Sequence, residues 1–101
     1  MTGPKKLQVL YSQQSIQNAK EIVAYLKSRF SNKEVVNFYQ SLSDFEKVIT
    51  AYPTLYSESK KMKFRRAVLS KVLSVYYTFN QTEIVIIAIF DNRWQEEGRI
   101  E

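Results

Sequence analysis

The chain has 101 residues and a net charge of +5, with 45% hydrophobic and 25% charged residues. That suits one soluble domain with a single modest core, burying roughly 60–65% of the surface its unfolded form exposes, and it excludes a disordered chain. Neither cysteine nor histidine occurs, which excludes a disulfide framework, thiolate metal sites, a histidine base and most zinc and iron sites; no cofactor and no metal is expected.

The opening Met1-Thr2-Gly3-Pro4-Lys5-Lys6 is followed by no sustained apolar stretch, so a secretory signal is not expected. Leu7, Val9 and Tyr11 alternate with Gln8 and Ser12, which predicts a short first strand. The period then changes. Ile16, Ala19, Val23, Leu26 and Phe30 step by three and four and line one helical stripe, with Ser12 or Ser15 available as its cap. Ser31-Asn32-Lys33-Glu34 has the spacing of a capping box. A second helix follows, with Val35, Phe38, Leu42, Phe45, Ile49 and Tyr52 on one stripe, and Pro53 discourages its continuation. Two such helices joined by a few residues fold back as an antiparallel hairpin; a coiled-coil dimer is the alternative for so regular a stripe.

From Pro53 to Lys63 the chain reads as a polar and aromatic loop, and from Phe64 to Ser70 as a strand. Leu73, Val75, Tyr77 and Phe79 alternate with Ser74, Tyr76 and Thr78, predicting a strand with one oily face. Asn80-Gln81 is a turn. Ile84 to Phe90 is apolar on both faces and belongs in the middle of a sheet. It is also the longest apolar run, far short of the ~20 residues of a membrane helix, so no membrane partner is expected. Residues 1–6 and 95–101 are expected to fray, leaving one domain. The order β-α-α-β-β-β predicts an α+β fold: a helical hairpin on one face of a small, mostly antiparallel four-stranded sheet, with the other face open to a partner.

Charge is unevenly placed. Lys60, Lys61, Lys63, Arg65, Arg66 and Lys71 lie between Ser59 and Thr82 without a single acid. Such a segment suits an anionic partner, and equally a solvated lysine-rich loop. Ser12, Ser15 and Ser31 read as helix caps rather than nucleophiles, and Asp44 and Glu46, two apart on a helix, do not share a face. Any catalysis must therefore use Lys, Arg and Tyr.

The sequence resembles the RelE/ParE toxins of bacterial type II toxin–antitoxin systems, the plasmid-stabilisation family. Ser12-Gln13-Gln14-Ser15-Ile16-Gln17-Asn18-Ala19-Lys20-Glu21-Ile22-Val23-Ala24-Tyr25 is similar to the family's opening helix, S-x-x-A-x-x-D-L-x-x-I-x-x-Y. Ile49-Thr50-Ala51-Tyr52-Pro53 resembles the end of its second helix, and Arg66 to Tyr77 with Ile84 to Arg93 its terminal strands and D-x-R ending. Ser15, Asn18 and Ala19 depart from the usual alanine, aspartate and leucine, and the loop after Pro53 lacks the family's glycine.

The resemblance implies a cytoplasmic, growth-inhibiting toxin neutralised by an acidic antitoxin, with a homodimer left open. Its ParE branch poisons DNA gyrase and is not an enzyme; its RelE branch is a ribosome-dependent mRNA endoribonuclease. The long helical hairpin, and the lack of a tyrosine or histidine after Trp94, favour the ParE side. A basic RNA-binding or adaptor module without toxicity is the reading from outside the family. Arg66 and Arg93 align with family arginines and, with the exposed Tyr76, are the catalytic candidates. Lys60, Lys61, Lys63, Arg65, Arg66, Lys71, Arg93 and Trp94 are the candidates for binding an anionic target or the antitoxin. Tyr77 shares its face with Leu73, Val75 and Phe79 and reads as core. As surface residues, Arg66 and Arg93 are expected to be replaceable by alanine with little change in stability.

Overall fold

The computed structural model describes residues 7–61 and 63–93; the expected frayed ends lie outside them. In chain order these residues form β1 (Gln8–Tyr11), α1 (Gln13–Arg29), α2 (Asn32–Ala51), β2 (Arg65–Val68), β3 (Leu73–Phe79) and β4 (Glu83–Asp91). The strands make one sheet in the order β1-β4-β3-β2, with β1 parallel to β4 and the other two pairings antiparallel. This is the α+β architecture the pattern predicts. β4 is central, with β1 on one side and β3 on the other.

One sheet face is covered by the two helices. Phe38, Leu42, Phe45 and Ile49 of α2 and Ile22 and Leu26 of α1 pack onto Val75, Tyr77, Ile84, Ile86 and Ile89. The α2 stripe thus meets the sheet and is not left for a coiled-coil partner. Tyr77 is core, as its face implies. Its ring lies edge-on to Phe45 at 5.6 Å and to Tyr56 at 6.4 Å. Its hydroxyl donates to the Pro53 carbonyl at 2.8 Å, so the buried phenol is satisfied and the chain leaving α2 is anchored.

Two local expectations fail for identifiable reasons. The buried face of α1 centres on Ser15, Ile22 and Leu26, while Ile16 is 42% exposed. Ser15 is small, and its hydroxyl donates to the Ser12 carbonyl at 2.8 Å, so it sits inside where a hydrophobic count does not find it. Ser12 caps α1, accepting from the Ser15 amide at 3.0 Å. The capping box at Ser31 does not form. The Ser31 side chain makes no cap hydrogen bond, and the Glu34 carboxylate turns to Arg93 at 3.1 Å. A guanidinium outcompetes one backbone amide for that carboxylate.

The sheet is asymmetric along its length. β1 covers only the first part of β4, ending opposite Ile86. Beyond it, β4 carries a bulge: Tyr76 pairs with Ala88 and Tyr77 with Ile86, so Ile87 is the extra residue. The backbone groups left without a strand partner are taken up by α1. The Ser12 hydroxyl donates to the Ile87 carbonyl at 2.8 Å, and the Ile89 amide donates to Asn18 Oδ1 at 3.1 Å. Two side chains at the start of α1 therefore stand in for the rest of an edge strand.

Candidate functional site

The sheet face away from the helices is the open one, and the registers fix what it shows. Arg66, Tyr76 and Ala88 lie in one cross-strand row, Val68, Ser74 and Phe90 in the next, and Thr78, Val85 and Leu10 in a third. The face is largely apolar: Leu10 and Val68 are exposed, Val68 by 54% of its surface, and Tyr76, Val85 and Phe90 are half-buried. Tyr76 stands edge-on to Phe90, with ring centres 5.3 Å apart. Arg66 projects from β2, exposed, with Nη2 3.5 Å from the Ser74 hydroxyl. An arginine so placed keeps most of its donor fork for a partner.

The loop before β2 brings further charge beside this face. The Ser59 amide donates to the Phe64 carbonyl at 2.7 Å, and Glu58 bridges Arg65, which brings the two ends of this loop together. Lys60, Lys61 and Lys63 are exposed there. Lys63 has φ 56°, a left-handed conformation where glycine is usual, and the Lys61 amide is held by Ser59 Oγ at 3.3 Å. The segment is thus a shaped, lysine-bearing projection three residues from Arg66.

The other predicted cations do not join this group. Arg65 points to the helix side. It donates to the Tyr56 carbonyl at 2.6 Å and lies 5.4 Å from the centre of the Phe79 ring, which fastens the loop to the sheet. Lys71 is exposed at the β2–β3 turn, where its carbonyl accepts from Asn92 at 3.2 Å. Arg93 is held inside the fold. It bonds both oxygens of Asp91, at 3.2 and 2.9 Å, and Glu34 at 3.1 Å, and lies 4.9 Å from the centre of the Phe30 ring. Asp91 is 1% exposed, so Arg93 neutralises a buried carboxylate, and these bonds hold its own pKa above the usual arginine value. The expectation that Arg93 is a dispensable surface residue for stability does not fit this geometry. Trp94 lies outside the described residues.

Sequence reasoning singles out Arg66, Tyr76 and the lysines as candidates, but not the apolar platform around them. Leu10 breaks the alternation of β1, and that break was the available signal for a side chain facing out. Burial and the hydrogen bond to Glu46 push the Tyr11 phenol up, and it ties β1 to α2 on the covered side, away from this face.

The chain's overall geometry matches solved structures at low sequence identity. A chain of the chromosomal ParDE TA system from P. aeruginosa superposes with a TM-score of 0.69 at 12% identity, covering 85% of this chain and 96% of the other. The YoeB dimer from Staphylococcus aureus gives 0.59 at 16% identity, covering 85% and 97%. The chain shares the fold of these two neighbours. A conserved hypothetical protein from Helicobacter pylori, HP0894, gives 0.58 at 11% identity over 86% and 96%. No protein-family model matches the sequence, and no curated protein matches it. The RelE/ParE fold is what the residue pattern from Leu7 to Arg93 resembles, and nearly the full length of each neighbour is covered.

Proposed function

We propose that this chain is the toxin of a type II toxin–antitoxin pair, acting in the cytoplasm. Its working surface in this reading is the open sheet face with the lysine tip of the 59–64 loop. The observation that carries it is the exposed Arg66 beside Tyr76 on an apolar platform that, among the described residues, no helix or strand covers. An apolar patch with a fixed cation suits a protein partner bearing apolar and acidic side chains, and an acidic antitoxin answers that description. The TA system named for the P. aeruginosa neighbour and the dimer named for the S. aureus neighbour support an antitoxin partner and a possible second copy.

Within this reading we place the target as DNA gyrase. The 17- and 20-residue helices support this reading, because a long helical hairpin is what the resemblance to the ParE branch implies. One observation favours the ribosomal reading instead: Arg66 and Tyr76 are cross-strand neighbours, so a phenol and a guanidinium share one patch and can serve RNA cleavage through the 2′-hydroxyl. A non-toxic basic adaptor is the remaining alternative.

The deciding experiment has two parts. Induced alone in bacteria, the chain is expected to arrest growth, and co-expression of a small acidic protein encoded beside it to restore growth. Normal growth at verified soluble expression counts against an active toxin. Added to gyrase and supercoiled DNA, the purified protein is expected to accumulate cleaved complexes. Codon-linked cuts on translating ribosomes that vanish in Arg66→Ala replace the gyrase target with the ribosome. Neither activity leaves the adaptor.

A further inference from the structure

On the other side of β2 from the open face, the structure holds a trough between α2 and the β2–β3 hairpin. It consists of two cavities of about 220 Å³ each that meet at Ser41. Glu34, Ser41, Asp44 and Val48, spaced by three, four and seven, put one stripe of α2 along one wall. Leu69, Ser70 and the backbone edge of β2 at Val68, whose side chain faces the open side, form the facing wall, over a floor that includes Phe38 and Phe45. From Glu34 to Val48 the helix rises about 21 Å, the length of six or seven residues of extended chain.

Two features select an occupant. The first is charge. Among the described residues three carboxylates, Glu34, Asp44 and Asp91, line the trough against one guanidinium, Arg93, on a chain whose net charge is +5. Glu34, Asp91 and Arg93 satisfy one another at one end. Asp44, in the other half, accepts a side-chain amide from Gln40 at 2.9 Å and, among the described residues, pairs with no cation. The second is backbone. The Leu69 amide donates into β3 at 2.8 Å. By the alternation of an antiparallel ladder, the neighbouring amide and carbonyl of Val68 point away from β3, out along the wall of the trough.

We propose that this trough binds an extended, cationic and partly apolar peptide segment of a partner protein, with a lysine or arginine on Asp44 and apolar side chains over Phe45 and Val48. The site is separate from the open face. Its chemistry is the opposite of that face: the open face attracts acids, and the trough attracts bases. A partner that uses both carries segments of both signs.

The probe is a blocked heptapeptide, Arg-Leu-Thr-Leu-Thr-Leu-Arg, titrated into the isotopically labelled full chain and followed by amide NMR shifts. A second peptide has glutamate in place of both arginines. The arginine peptide is expected to shift Ser41, Asp44, Leu69 and Ser70. Its affinity is expected to exceed that of the glutamate peptide by about fivefold or more, and to fall by a similar factor in Asp44→Lys and at high salt. Ser41→Arg fills the waist of the trough and is expected to abolish binding of either peptide. Each variant is checked for a native spectrum; Asp44 is exposed, so its replacement keeps the test open if Ser41→Arg fails to fold. Equal affinity for the two peptides, shifts confined to Thr78 and Val85 on the open face, an unchanged affinity in Asp44→Lys, or no shifts at millimolar peptide would each overturn the proposal. None of these readouts depends on toxicity.

Discussion

Arg66 lies in β2 and Arg93 two residues past the end of β4; the sequence marks both for the same role, yet their surroundings differ. Around Arg93 the chain gathers Asp91, Glu34 and the face of Phe30, so its fork is filled by intramolecular bonds. Around Arg66 it places Tyr76, Val68 and a single hydroxyl at 3.5 Å. A cation is available to a partner when the fold supplies it no acid, and sequence position alone does not report that. The segment from Ser59 to Thr82 is free of acids, and among the described residues no carboxylate pairs with its exposed cations. Arg93 lies two residues from an aspartate that the sheet buries.

The largest expected effect breaks the comparison on the Arg93 side. Arg93→Ala leaves Asp91 buried without its bidentate partner. Losing one member of a buried pair typically costs about 3–5 kcal/mol; because Arg93 is a quarter exposed, we expect about 2–4 kcal/mol, read as a lower urea midpoint. Asp91→Asn combined with Arg93→Leu should recover part of that loss, since the buried carboxylate charge is removed together with its guanidinium partner. A loss below ~0.5 kcal/mol in Arg93→Ala would return Arg93 to the free surface cations. Growth assays on Arg93 variants thus report folding before they report function.

The next effect concerns the scaffold that aims the open face. Asn18→Leu removes the acceptor of the Ile89 amide, next to the β4 bulge. A buried donor left unpaired costs about 1–3 kcal/mol. Asn18→Asp keeps an acceptor, the residue the resemblance leads one to expect there, and should stay near the parent. If both variants lose the same stability, the side-chain acceptor is not what holds the bulge.

How far the sequence could be read follows from the kind of signal each feature leaves. Element order, the central place of Ile84 to Phe90 and the burial of Tyr77 were legible, because each rests on periodicity over several residues. The α1 face was misjudged at Ser15, whose burial depends on one hydrogen bond. The capping box failed because its glutamate had a better partner 59 residues away. The strand-replacing pair Ser12 and Asn18 left no pattern at all, since it answers a deficit in β4 that exists only once β1 is known to be short. In the candidate site Arg66, Tyr76 and the lysines were legible as types in a segment. The platform around them required the sheet registers.

A smaller effect separates the covered side of the sheet from the open one through pH. Burial, and then the bond to Glu46, push the Tyr11 phenol up, and burial pushes up Tyr77. A group whose folded pKa is raised contributes stability that is fully present below its unfolded value, here near 10, and is lost as pH rises through the folded value. Stability should therefore decline above about pH 10, and Tyr11→Phe should show a shallower decline over that range. At neutral pH Tyr11→Phe is expected to cost about 1 kcal/mol for the lost hydrogen bond. An identical alkaline slope in the two proteins would mean that Tyr11 does not carry the linkage.

The smallest expected change in stability belongs to Arg66, and there its value lies. Arg66→Ala removes a contact at the limit of hydrogen-bond length. The Ser74 hydroxyl it touches is buried, but it opens toward the uncovered face, where water can replace the guanidinium. The cost should stay within ~0.5 kcal/mol, as for other surface changes. Growth arrest, by contrast, should be lost at equal soluble expression, because the one cation in the middle of the platform is gone. Replacing Lys60, Lys61 and Lys63 with glutamine should weaken binding to an anionic partner more at low salt than at high salt, which marks them as long-range attraction. Arg66→Lys then asks what the arginine supplies. A retained arrest means that a point charge suffices; a lost arrest, with the fold intact, means that the partner needs the planar two-pronged fork. If Arg66→Ala itself still arrests growth, the platform is not the working surface, and the exposed arginine is as incidental to function as it is to stability.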